Sequence, residues 1–310
     1  MPEAASDPFS LLGPLSLDRY LGRDLDLPGG GALNMAWWWR QTGVPFELFS
    51  RVGDDRPDVF RAFLARHAIP ATPELVAPGA SCSIDIEIRP DRQPHMDNFV
   101  EGVWADYALT RAEEARVRAG GRLHVVLVEG AIRELERLQA DGALDALEVS
   151  ADFLGFRHYT LGRLATTMRA VHVGFVGWPG APDDPEVAGM RRIAHELGRL
   201  IVVTFGARGV WALDGRPGGE DAFVPVEAVR VLGTTVGCGD AFIAGFLGAW
   251  RETPDVRRAI EAGAGPGAAA TAWRRPLPDD AYGDGARAAL ARADADADAG
   301  PGAGARGAGG

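Results

Sequence analysis

The segment Gly237-Cys238-Gly239-Asp240 sets three small residues and one carboxylate directly before an apolar stretch, Ala241 to Trp250. Gly237, Cys238 and Gly239 can bring bare backbone N–H groups to a helix N-terminus, where the macrodipole favours an anion. Asp240 then stands beside a phosphate-sized site. Bound phosphate repels a carboxylate, so a carboxylate at that position implies work there: removing a proton from a hydroxyl that attacks the phosphate. The simpler alternative is a helix start with Asp240 as N-cap or first-turn residue. On the first reading the chemistry is phosphoryl transfer to a small molecule, with Asp240 as base and the three preceding amides stabilising charge.

The composition agrees with a small-molecule ligand. A chain of 310 residues with 46% hydrophobic content has ample material for a buried core. Its formal charge of −11 disfavours nucleic acid or an anionic membrane as partner. No apolar run reaches the roughly 20 residues of a membrane span, and no basic-then-apolar leader is present, so a cytoplasmic location is expected. Cys82 and Cys238 are too few and too far apart for a disulfide framework or a zinc cluster, and both are expected as free thiols. All 32 basic residues are arginines. That disfavours a Walker A loop, a protein-kinase nucleotide site and a Schiff-base aldolase site, each of which needs lysine. Phosphoryl groups would instead meet backbone amides, arginine and a metal. His124, His158, His172 and His195 show no metal-ligand spacing and read as structural or surface residues.

The elements that must carry these residues read as an alternation of strands and helices. Phe9 to Leu12 is an apolar run that Leu15, Leu17 and Tyr20 continue around Asp18, giving a first strand. Gly29-Gly30-Gly31 opens a helix through Arg40 that Gly43 closes. Its three tryptophans, Trp37 to Trp39, spread around the helix and read as core or interface packing. Val44 to Val52 reads as a strand and Pro57 to His67 as a helix, the β-α-β-α rhythm of a mostly parallel sheet. Ser81 to Arg89 alternates apolar and polar residues, which suits a small sheet with one wet face, such as a lid. Leu123 to Val128, Ala170 to Val176 and Leu200 to Thr204 read as buried strands, and Val210 to Leu213 with Ala222 to Val226 as a hairpin. From residue 283 the chain becomes Ala, Gly, Asp and Arg, and is expected as a disordered tail, 283–310, after one domain, 1–282.

Thr234-Thr-Val-Gly-Cys-Gly-Asp-Ala-Phe-Ile-Ala-Gly-Phe246 resembles the signature of the PfkB (ribokinase-like) carbohydrate kinases. Asp240 falls on that family's catalytic base. Ser16-Leu17-Asp18 resembles the end of the family's first strand, where an aspartate binds sugar hydroxyls. Gly29-Gly30-Gly31-Ala32-Leu33-Asn34 is similar to its sugar-binding glycine motif, which places Gly30, Gly31 and Asn34 with the substrate. Asp97 to Leu109 resembles the fructoselysine 6-kinase group, and there Glu101 would face a sugar or an amine from the lid side, or be a surface acid on a loop. Val202-Val-Thr-Phe-Gly-Ala-Arg-Gly209 resembles the nucleotide loop, with Thr204, Gly206, Arg208 and Gly209 near the phosphates. Glu186, beside Asp183 and Asp184, lies near the family's metal region, as a holder of magnesium-bound water or as part of a solvated acidic loop.

The resemblance implies a three-layer α/β/α fold with a mostly parallel central sheet and a β-lid near residues 81–100. It implies ATP and Mg2+ as cofactors and a sugar or sugar-amine adduct as acceptor, phosphorylated on a primary hydroxyl. Open lid edges suit a homodimer. Four positions depart from the family: Gly13-Pro14-Leu15 replaces polar residues near Asp18, Gly31 replaces Asn, Thr234 replaces the Asp that often helps hold a monovalent cation, and Pro266 interrupts a helix beside the adenine pocket. These departures support a rival reading, a catalytically impaired homologue that binds a sugar or nucleotide as a regulator. A nicotinamide dehydrogenase is weaker, because no Gly-x-Gly-x-x-Gly with a following acid is present.

Overall fold

Short runs of branched apolar residues separated by amphipathic stretches form parallel strands only when both sheet faces are covered. A computed structural model, which describes residues 7–21, 25–283, 290 and 294, has this arrangement. The first half of the chain contains β1 (Phe9–Leu12), β2 (Ser16–Tyr20), β3 (Leu25–Gly29), α1 (Gly31–Thr42), β4 (Phe46–Phe49), β5 (Val52–Gly53), α2 (Pro57–Arg66), β6 (Val76–Ala77), β7 (Cys82–Ile88), β8 (Pro94–Val100), α3 (Arg111–Ala119), β9 (Arg122–Val126) and α4 (Glu129–Ala140). The second half contains β10 (Glu148–Asp152), α5 (Leu161–Thr167), β11 (Val173–Gly177), α6 (Pro185–Leu197), β12 (Leu200–Thr204), β13 (Val210–Asp214), β14 (Ala222–Val224), α7 (Cys238–Trp250) and α8 (Val256–Ala270).

Eight strands form one sheet in the order β14-β13-β12-β11-β10-β9-β1-β4. The six from β4 to β12 are parallel, and β13 and β14 turn back antiparallel. Period-two alternation sends successive residues to opposite faces. Leu200 and Val202 share a core with Leu33, Met35 and Phe246 of α1 and α7, while Ile201 and Val203 share the other with Ile132, Leu135 and Ile193 of α4 and α6. The result is the expected three-layer α/β/α fold.

A second sheet, β3-β2-β7-β8, forms the lid. The single strand expected from Phe9 to Tyr20 is two strands in two sheets. Pro14 has no N–H to continue a ladder, so the chain leaves the central sheet there, and β2 pairs instead with β3 and β7. Strands β3 and β10 were not expected at all.

Helix α1 ends as foreseen, at Gly43 in the left-handed region. Its tryptophans pack: Trp39 is fully buried, stacks on Phe9 at 4.8 Å and donates its indole N–H to the Ala244 carbonyl. Trp38 stacks on Trp273. Pro266 does not interrupt its helix, a correction to expectation, because α8 runs through it from Val256 to Ala270. The approach of α7 to α8 uses small residues near that proline, and a β-carbon on Gly263 would lie 2.6 Å from the Phe242 carbonyl oxygen.

Most of the expected tail lies outside the described residues, but two positions in it are ordered against the domain. Leu290 is fully buried with Tyr20, Leu27 and Ile86, and Asp294 pairs with Arg275 at 2.9 Å. No helix among the described residues is long and apolar enough to cross a membrane.

Candidate active site

The carboxyl edge of a parallel sheet is where strands release loops and helices present their N-termini. One cavity of about 270 Å³ lies there, with Ile84, Ile86, Met96 and Phe99 of the lid as its roof. It is large enough for a small polar ligand and bounded by mostly apolar walls. Its polar groups come from five separate places in the chain.

Asp240 sits in the first turn of α7. Gly237 caps that helix at φ 78°, a left-handed conformation that glycine adopts without penalty. Its position is also tight, since a β-carbon there would lie 2.6 Å from Pro276. The segment carrying Pro276 is anchored by the Thr234 amide donating to the Trp273 carbonyl and by Arg275, which is fully buried and paired with Asp279 and Asp294. Thus the turn rests on a chain segment that follows α8.

From α1, the Asn34 amide donates to Oδ2 of Asp240 at 2.7 Å. Gly31 brings the start of α1 against the same carboxylate: a β-carbon would stand 3.0 Å from Asp240 Oδ1. Burial pushes the Asp240 carboxyl up to about 6, and the Asn34 hydrogen bond opposes that rise. From β2, Asp18 accepts the Ser16 hydroxyl at 2.7 Å. Burial pushes Asp18 up to about 7 against that hydrogen bond, with the Asp240 charge adding to the rise.

A third carboxylate was missed in the sequence. Asp152 ends β10, is almost wholly buried, and lines the cavity with Asp18 and Asp240. Burial and then the Asp240 charge push it up to about 7. The available signal was weak, a five-residue run in which two of the inward-facing residues are polar. His158, read as an ordinary histidine, and Arg157 also line the cavity.

Of the residues expected to bind substrate, Asp18, Gly30, Gly31 and Asn34 meet at this cavity. Glu101 does not line it. Its carboxylate accepts the Gly130 amide at the N-terminus of α4, where helix-terminal N–H groups attract an anion. Gly237, Gly239, Asp240 and Thr204 line the cavity, and Cys238 opens α7 beside it, its thiol pushed up to about 12 by burial. Gly206 and Arg208 form a short turn after β12 that Gly209 ends, outside the cavity wall. The Arg208 guanidinium is engaged by the carbonyls of Phe205, Pro179 and Gly180. Glu186 is exposed on the first turn of α6 and also stands outside the wall.

The segment that carries both Asp152 and Asp240, residues 149–275, matches the family model described as pfkB family carbohydrate kinase. Over those residues the chain resembles the pfkB-family carbohydrate kinases. The chain is 26% identical over 258 residues to fructoselysine 6-kinase from Escherichia coli (strain K12), over 82% of this chain and 94% of that relative. Two solved structures show the same fold. Arabidopsis thaliana ribokinase, complexed with ribose and ATP, superposes with a TM-score of 0.69 at 16% identity, over 93% of this chain and 98% of that one. Adenosine kinase from Sinorhizobium meliloti gives 0.72 at 18% identity, over 92% and 100%.

Proposed function

We propose that this kinase transfers the γ-phosphoryl group of ATP to a primary hydroxyl of a sugar-amine adduct of the fructosamine or fructoselysine kind, with Asp240 as general base. The observation that carries the reading is the Asp240 carboxylate. It stands at the N-terminus of α7, with Oδ2 occupied by Asn34 and Oδ1 facing the start of α1. A carboxyl pushed up to about 6 is ionised at pH 7.5 and is a stronger base than an ordinary aspartate. As the hydroxyl oxygen forms its bond to the γ-phosphorus, its proton passes to Asp240, and the bond to the ADP oxygen breaks. The Gly237 and Gly239 N–H groups at the start of α7 would meet the charge that develops, whereas the Cys238 amide, expected to join them, donates to the Thr235 carbonyl. Asp18 accepts hydrogen bonds from other hydroxyls of the acceptor, and the lid roof excludes water. The similarity to fructoselysine 6-kinase over most of both chains supports the acceptor class.

Kinases of this family use ATP with a divalent metal ion. Among the described residues no group of three His, Cys, Asp or Glu side chains could hold a metal. The donor set therefore fits an ion that enters on the phosphates, as Mg2+ does with one or two carboxylates and several waters. Asp152 is the cavity carboxylate that would hold it, in place of the exposed Glu186. When bound, the ion would neutralise phosphate charge.

The test is Mg-ATP-dependent phosphorylation of a panel of fructoselysine, other fructosamines, fructose, ribose and adenosine. Asp240→Asn is expected to lower kcat about 10²–10⁴-fold on the acceptor that the wild type turns over. Turnover of ribose or adenosine in preference to the fructosamines would overturn the acceptor class. Unchanged kcat in the variant would remove Asp240 as base.

A further inference from the structure

Asp18, Asp152 and Asp240 line a cavity that must admit the most highly charged part of a nucleotide. The chain has no lysine to balance them. Arg208 is committed elsewhere, to three backbone carbonyls and the face of the Phe205 ring at 5.8 Å. His158 also lines the wall, but burial holds it below the usual imidazole range, so it is no permanent cation. Among the described residues, Arg157 is the one arginine on the cavity wall, and no hydrogen bond or ion pair holds its guanidinium.

Arg157 lies on the loop from β10 to α5. Strand β10 stands between two halves of the sheet edge. On one side lie β9 and β1, with Val126 of β9 against Gly31 at the start of α1; on the other, β11 and β12 end at Gly177 and Thr204. A side chain rooted on this loop lines the same cavity as Gly31, Asn34, Gly177 and Thr204.

The loop is also held in a costly shape. Leu154 and Phe156 both adopt positive φ, 53° and 64°, where residues with a β-carbon are strained. The strain is pinned by the Leu154 amide donating to Asp152, the Gly177 amide donating to the Leu154 carbonyl, and the Phe156 ring against Trp178. Arg157 is thus an exposed, uncommitted cation between two anchored aromatic residues, Phe156 and Tyr159.

We propose that Arg157 is a catalytic cation of this kinase, its guanidinium contacting the γ-phosphoryl group as it passes from ADP to the acceptor hydroxyl. The planar fork of guanidinium N–H donors matches phosphoryl oxygens and keeps its charge at every working pH. It exchanges no proton or electron: the new O–P bond, the broken P–O bond and the proton taken by Asp240 balance without it. This assignment rests on the kinase reading of the Asp240 site.

The test uses the full chain with Arg157→Gln and Arg157→Lys, assayed with Mg-ATP and the acceptor turned over by the wild type. Calorimetric affinities for Mg-ATP and Mg-ADP provide a second readout. The Gln variant is expected to lose about 10²–10³-fold in kcat, as when one charge-stabilising donor is removed. Acceptor KM is expected to change less than about threefold, in line with loss of a contact made in the transition state. The preference for ATP over ADP should disappear, and the Lys variant should recover part of kcat. Unchanged kcat, or a loss confined to acceptor KM, would overturn the assignment, the second by giving Arg157 to an anionic group on the acceptor. Absence of turnover in the wild type would instead count against the proposed reaction, and the ATP-to-ADP affinity ratio would still decide whether Arg157 meets the γ-phosphate.

Discussion

Asp240 is tuned by two opposed effects at the residue scale. Burial raises its pKa, and the Asn34 amide, which stabilises the ionised form, lowers it. A base with a pKa of about 6 places the acid limb of kcat/KM near that pH, with activity falling as pH falls through it. Asn34→Ala removes only the lowering effect. The acid limb is therefore expected to move to higher pH, and the variant should lose more activity at pH 6.5 than at pH 8. A pH–rate profile of both proteins checks this, and a limb that stays in place would show that Asn34 orients the acceptor rather than the base. The cysteine beside Asp240 has no comparable role, since burial keeps Cys238 a thiol.

At the scale of elements, the turn before Asp240 depends on packing from the far end of the chain. Gly237 combines a left-handed backbone with close contact to Pro276. Gly237→Ala adds a β-carbon to both, at a cost of about 1–3 kcal/mol in backbone strain alone. The expected outcome is a lower Tm together with at least a tenfold fall in kcat, because the amides proposed to meet the phosphate move with the turn. Thermal melts and initial rates on the same preparation separate the two effects. Stability lost without loss of kcat would mean that the turn only supports the fold. The same reasoning explains how α8 accommodates Pro266: with small residues where α7 crosses, the helices meet closely, and packing outweighs one missing backbone hydrogen bond.

For the molecule as a whole, the site opposes stability. Asp18 and Asp152 are pushed up to about 7, so the folded state holds protons that the unfolded chain has already released near pH 4. Their contribution is most favourable below the unfolded pKa and is lost as pH rises to 7. Glu113 has the opposite sign. Paired with the buried Arg51 at 2.5 Å, it is held down to about 2, so its contribution exists above about pH 4.5 and is lost as pH falls toward 2. Asp18→Asn is therefore expected to raise Tm at pH 8, by roughly 2–4 °C for each kcal/mol recovered, and to change it little at pH 4. A Tm at pH 8 equal to or below that of the wild type would show that the carboxylate's hydrogen bonding outweighs its desolvation.

The parts of this protein legible in the sequence are those made by consecutive residues. Three small residues before Asp240 specify a turn and a helix start through their own backbone preferences, and the glycines at 29–31 and 43 bound α1 in the same way. Apolar runs such as Leu200 to Thr204 identify strands because each residue needs burial whichever neighbour provides it. What depended on tertiary structure was which distant groups meet. Strand β10 carries Ser150 and Asp152 into the interior, and those polar residues concealed both the strand and the third carboxylate until β9 and β11 supplied its partners. Glu101 and Arg208 had the right charge for the cavity, but the start of α4 and three backbone carbonyls engage them first. Arg157 carried no motif, and its place beside the carboxylates follows from the position of β10 in the sheet. A charged side chain acts on whatever lies within a few ångströms of it, and for these residues that neighbourhood is built from segments far apart in the chain.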